Sequence, residues 1–171
     1  GSVVVVHNGI IENYMELRDR LQGRGRTFLS ETDTEIIAHL VDEHLQASLP
    51  LEDAVRSALH QVKGSYAIAV ISRDDPTCLI GAKKASPLVM GIGDAEYFLA
   101  SDIPALLDHT RDMVFLDDEE MVVLRPEGYR ITDRNGHPVL REPSRIAWSP
   151  MMAEKGGFKH FMLKEIHEQP R

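Results

Sequence analysis

The spacing of the apolar residues changes once along this chain, and that change limits the fold more than any other feature. Up to Val62 the apolar residues recur at helical intervals. One set is Ile10, Tyr14, Leu17 and Leu21, stopped by Gly23 and Gly25. A second is Ile36, Ile37, Leu40, Val41 and Leu45. A third is Leu51, Ala54, Val55, Ala58, Leu59 and Val62, opened by Pro50. Beyond Gly64 the pattern becomes one of short strands separated by turn residues. Segments 66–72, 78–82, 88–91, 97–101, 113–116 and 121–124 read as strands, with a turn at Asp74-Asp75-Pro76 and a helical turn or two over 103–107. Asn135-Gly136, between 129–132 and 139–141, predicts a hairpin. Helices first and antiparallel strands later define an α+β class, with strands in layers and helices outside.

Two early segments qualify this picture. Val3–Val6 is an uninterrupted β-branched run and predicts a buried strand ended by His7-Asn8-Gly9; Thr27-Phe28-Leu29 predicts a short one. Near the end, 159–168 reads as helix, and Pro143 and Pro150 mark a linker after a domain reaching about Arg145. The 171 residues amount to about one domain.

Composition excludes several function classes. The net charge of −8 disfavours a duplex-coating nucleic-acid binder, which needs a basic face. No apolar run is long enough for a membrane helix, and no leader peptide is expected. A single cysteine, Cys78, forbids an internal disulfide or a CxxC zinc site, and its apolar strand predicts a buried, inert thiol. These features fit a cytoplasmic protein. The eight histidines include no i,i+4 pair of the helical zinc type and read as surface or satisfied side chains.

Two short constellations could carry chemistry. Asn8-Gly9 is either a type I′ hairpin turn or a strand-to-helix junction. The junction would expose an amide side chain and a backbone N–H, the neutral donors that an oxyanion hole requires. In Ser30-Glu31-Thr32-Asp33-Thr34-Glu35, Thr32 and Glu35 fit a capping box, leaving Asp33 at N1. Its carboxylate could meet a ligand ammonium group, or join Glu31 and Glu35 around a metal, although no histidine or further acid stands at a characteristic spacing.

Several blocks together resemble the glutaminase domain of the glucosamine-6-phosphate synthases (glutamine–fructose-6-phosphate aminotransferases, isomerising). They are Val4–Asn13, Ser30–Leu40, Gly64–Ala67, Ser86–Val89, Phe98–Asp102 and Lys164–Pro170, in family order and across essentially the whole chain. The resemblance implies an N-terminal-nucleophile (Ntn) hydrolase fold, an αββα sandwich of two mainly antiparallel sheets, here incomplete at the N-terminus. It implies residues 1–145 as the later part of a type-2 glutamine amidotransferase domain. Residues 146–171 would lead toward sugar-isomerase domains of the same polypeptide. The implied reaction is glutamine hydrolysis that supplies ammonia for aminating fructose 6-phosphate, in a homodimeric parent and with neither cofactor nor metal. Asn8 and Gly9 match the oxyanion-hole pair, and Asp33 matches the acid that binds the glutamine α-amino group.

The departures from the family carry as much weight. The N-terminal nucleophilic cysteine and the arginine-bearing His-Thr-Arg-Trp-Ala-Thr-His block have no counterpart in these residues, and Cys78 cannot replace the former. The isolated chain is therefore expected to be an inactive fragment. Two alternatives are another Ntn amidotransferase, such as amidophosphoribosyltransferase, and a non-catalytic binding module that kept the scaffold.

Overall fold

A computed structural model describes residues 2–147 and 161–168. Among these described residues, ten strands form two antiparallel sheets. The larger holds β1 (Val3–Ile11), β2 (Gly64–Ser72), β3 (Asp75–Lys84), β7 (Met121–Arg125), β8 (Gly128–Thr132) and β9 (Pro138–Val139), in the order β1-β2-β3-β7-β8-β9. The smaller holds β4 (Val89–Ile92), β5 (Tyr97–Ala100), β6 (Asp112–Phe115) and β10 (Ser144–Arg145), in the order β10-β6-β4-β5.

Helices α1 (Tyr14–Gly23), α2 (Thr34–Gln46) and α3 (Leu51–Leu59) cover the outer face of the larger sheet. Their buried stripes are the ones the spacing predicts: Ile36, Ile37, Leu40 and Val41 from α2, and Leu51, Ala54, Val55 and Ala58 from α3. These pack on Ile11, Ile68, Val70, Ile80 and Val123. The inner face, through Leu79, Val122, Leu124 and Ile131, meets Met90, Leu99 and Val114 of the smaller sheet. The sheets approach closely at Gly81, where a Cβ would lie 2.8 Å from Leu99 Cδ1. On the far side of the smaller sheet, Leu106 and Leu107, at the 3-10 turn Pro104–Leu106, cover Val89 and Met113. A last helix, α4 (Phe161–Glu168), carries exposed Met162, Leu163 and Ile166. Among the described residues no helix is long and apolar enough to cross a membrane.

The β7 sequence Met-Val-Val-Leu is continuously apolar because both faces are covered: Met121 and Val123 face helices, Val122 and Leu124 the second sheet. The valine run of β1 has a different explanation, and the expectation of a buried strand is corrected. β1 lies at the sheet edge, so Val4 and Val6 are 59% and 66% exposed while Val3 and Val5 pack against the helical core.

Other local expectations are also corrected. β1 does not end at His7; it continues to Ile11, paired throughout with β2, and α1 begins only at Tyr14. The buried apolar residue at this junction is therefore Ile11, and Ile10 is exposed. Thr27–Leu29 forms no strand, and the turn before β3 is Arg73-Asp74. The Asn135-Gly136 hairpin joins β8 to β9, with Gly136 at φ 90°.

Candidate active site

The site is built along the open edge of β1. Asn8 stands opposite Ala67 and Gly9 opposite Tyr66. Antiparallel pairs alternate between bonded and non-bonded. The flanking backbone bonds Arg73 N–H to Ser2 C=O and Glu12 N–H to Lys63 C=O make the even-numbered β1 residues the bonded set. The N–H groups of Gly9 and Ile11 therefore point away from β2, toward the edge. They lie on one side of the strand, about 7 Å apart. Gly9 has φ +133°, and a Cβ there would fall 2.2 Å from the Ser65 carbonyl oxygen, so this backbone path requires glycine.

Asp33 reaches the same edge. It occupies the N-cap position of α2, one residue earlier than expected, and makes no side-chain cap bond. Its Oδ2 accepts the Ile11 N–H at 2.9 Å, while Oδ1 lies 3.7 Å from His7 Nδ1. The side chain is 27% exposed, which leaves room for a ligand cation on its free side.

The capping box is likewise replaced. The Glu35 carboxylate turns back to accept Leu29 N–H at 2.8 Å, Ser30 N–H at 2.7 Å and Ser30 Oγ–H at 2.5 Å. Burial acts to raise its pKa, but the hydrogen bonds from Ser30 and Leu29 outweigh burial and hold it at about 2. Asp33 and Glu35 thus face different partners and do not converge on a metal. No group of three or more His, Cys, Asp or Glu converges among the described residues.

On the opposite face of β1, the exposed Asn8 side chain donates through Nδ2 to Ser101 Oγ at 2.8 Å. This bond spans the two sheets, since Ser101 follows β5. Its partners are 93 residues apart, and nothing in the local sequence pairs them. Two participants escaped sequence reasoning. Ser101 lay in a matching block without an assigned role, and His7 read as one of eight scattered histidines, yet its side chain is only 2% exposed and sits beside Asp33. Cys78 is buried in β3, away from the β1 edge, and burial pushes its thiol pKa up, as expected of an inert cysteine.

Two antiparallel sheets packed face to face, with helices over the larger one, are the fold of an Ntn-type amidotransferase. The solved glutamine phosphoribosylpyrophosphate amidotransferase of B. subtilis superposes with a TM-score of 0.69 at 27% identity, covering 78% of this chain and 29% of that one. A glutamine aminotransferase class-II domain protein from Silicibacter pomeroyi, at 17% identity and a TM-score of 0.53, has the same fold; the match covers 77% of this chain and 66% of that one. The glutamine amidotransferase domain model matches residues 1–108, and the chain belongs to that family.

Sequence relatives are nearer. The glutamine–fructose-6-phosphate aminotransferase (isomerising) of Methanothermobacter thermautotrophicus is 52% identical over 170 residues, covering 99% of this chain and 29% of that protein. The enzyme of the same name from Thermus thermophilus is 50% identical over 170 residues, covering 99% and 28%. The chain thus spans less than a third of the length of these curated relatives.

Proposed function

We propose that this chain is part of the glutamine-hydrolysing domain of an enzyme that makes glucosamine 6-phosphate from fructose 6-phosphate and glutamine. The observation that carries the reading is the common edge of β1, where the Gly9 N–H and the Asp33 carboxylate face the same space. An extended glutamine fits this span, its ammonium on Asp33 and its side-chain carbonyl at Gly9. The Asn8 amide would complete the oxyanion hole by exchanging its Ser101 partner for the substrate. Donors fixed where negative charge develops are worth more in the transition state than in the ground state. Residues 1–145 would form the later part of the domain. Residues 146–171 would lead to sugar-isomerase domains of the same polypeptide, in a cytoplasmic homodimer. The resemblance implies a terminal cysteine as nucleophile, a role that the buried Cys78, its thiol pKa raised, does not fit.

The test is steady-state kinetics on the full-length gene product. Asn8→Ala should lower kcat for glutamine hydrolysis by roughly 10²–10³. Asp33→Asn should chiefly raise KM for glutamine. Wild-type rates in both variants would overturn the reading. The likeness to the B. subtilis enzyme favours a second reading, amination of phosphoribosylpyrophosphate. Supplying each acceptor with glutamine decides between them, and amination of fructose 6-phosphate alone is expected.

A further inference from the structure

His7 approaches Asp33, the acid expected to bind the substrate amine, from beneath. It points from β1 to the helical side of the larger sheet, and its side chain is 2% exposed. Its Nδ1 lies 3.2 Å from Thr34 Oγ1 and 3.7 Å from Asp33 Oδ1. Its Nε2 is buried and makes no hydrogen bond among the described residues. This asymmetry favours one tautomer. A proton on Nε2 would be a buried donor with no acceptor, while Nδ1 would turn a lone pair toward a carboxylate. With the proton on Nδ1, the imidazole donates to Thr34 Oγ1, and the same N–H faces Asp33 Oδ1.

We infer that His7 is a positioning residue for the Asp33 carboxylate. It holds the first turn of α2 against the strand that bears Asn8 and Gly9. The Ile11 N–H fixes Oδ2 from the strand, and His7 Nδ1 fixes the adjacent Thr34 and faces Oδ1. Both anchors lie on β1, four residues apart. The distance from amine-binding acid to oxyanion donors is thereby set by one strand rather than by the loop over 27–33. Loss of the imidazole frees the acid to shift, which weakens ground-state binding of an α-amino acid while leaving the oxyanion donors in place. The inference rests on the reading of Asp33 as the amine-binding acid.

The experiment compares His7→Phe, His7→Asn and His7→Gln with Asp33→Asn in the full-length gene product, measuring kcat and KM for glutamine, with circular dichroism to verify folding. The Asn Nδ2 can stand where Nδ1 stood; the Gln amide reaches toward the Nε2 position instead. His7→Phe and His7→Gln should raise KM about tenfold, the equivalent of about 1.4 kcal/mol, with kcat little changed. His7→Asn should stay within about threefold of wild type. If His7→Phe does not fold, the contrast between the Asn and Gln variants carries the test. Equal KM in those two, or a loss confined to kcat, overturns the inference. An unchanged KM in Asp33→Asn overturns instead the underlying reading of Asp33.

Discussion

At the scale of single residues the edge of β1 is under steric control. Gly9 occupies φ +133°, a conformation that L side chains rarely adopt, and its α-carbon lies against the Ser65 carbonyl. Alanine there must displace the backbone of β2, because the colliding atom is main chain and cannot rotate aside. Gly9→Ala should cost about 3 kcal/mol from strain and overpacking together. For a domain of this size that lowers Tm by roughly 6–12 °C. Thermal unfolding followed by circular dichroism measures it, and a Tm within about 2 °C of wild type would refute the close approach. Gly9 and Asp33 show how differently residues can be read from sequence. The permissiveness of Gly9 is visible in the letter itself, but its collision partner is 56 residues away. Asp33 competed with two other uses, and only the folded chain shows its carboxylate turned from the helix end to the Ile11 N–H.

At the scale of elements, helices α2 and α3 and the central strands were legible because their apolar stripes are long and unambiguous. The β1–α1 junction was not. Ile10 and Ile11 are adjacent and equally apolar, so local spacing cannot decide which is buried. Full pairing with β2 decides it in favour of Ile11. The approach to α2 was misread for a similar reason: a Thr-x-x-Glu spacing fits a capping box, yet Glu35 binds the preceding loop. That choice has a pH signature. The folded pKa of Glu35 is about 2 against an ordinary 4.5, and a depressed carboxylate favours the folded state in its ionised form. Its stabilisation is therefore fully present above about pH 4.5 and is lost as pH falls through about 2. Asp42, Asp75, Asp118, Glu119 and Asp133 are also held low by their partners, so the total acid response is shared. The difference between wild type and Glu35→Gln isolates one group. In urea unfolding across pH, that gap should be widest above pH 4.5 and should shrink steadily toward pH 2. A gap independent of pH would show that the Glu35 latch does not form.

At the scale of the whole molecule, the two sheets are unequally covered. The smaller sheet shields β3, β7 and β8 but leaves the face of β1 and part of β2 open. Val4, Val6 and Ile10 are 59%, 66% and 68% exposed there, and Ile71 beside Val4 is 44% exposed. The same strand forms the sheet edge, directing every second N–H and C=O outward along nine residues. An edge of that length without proline, lysine, arginine or an acid of its own is a template for pairing with another strand, and such edges are ordinarily blunted by charge, proline or a covering segment. Asp33 occupies only the Ile11 end. A purified polypeptide of these 171 residues should therefore self-associate through β1. Sedimentation velocity should show a weight-average coefficient that rises with concentration. Val6→Lys places a charge on the open face without disturbing the helical core, since Val6 faces away from it, and should shift the distribution toward monomer. Its secondary structure should remain unchanged. A sharply monomeric profile at all concentrations in the unsubstituted chain would mean that the β1 edge is protected in solution. Association that persists unchanged in Val6→Lys would move the contact elsewhere, and exposed Met162, Leu163 and Ile166 of α4 would be the next surface to substitute.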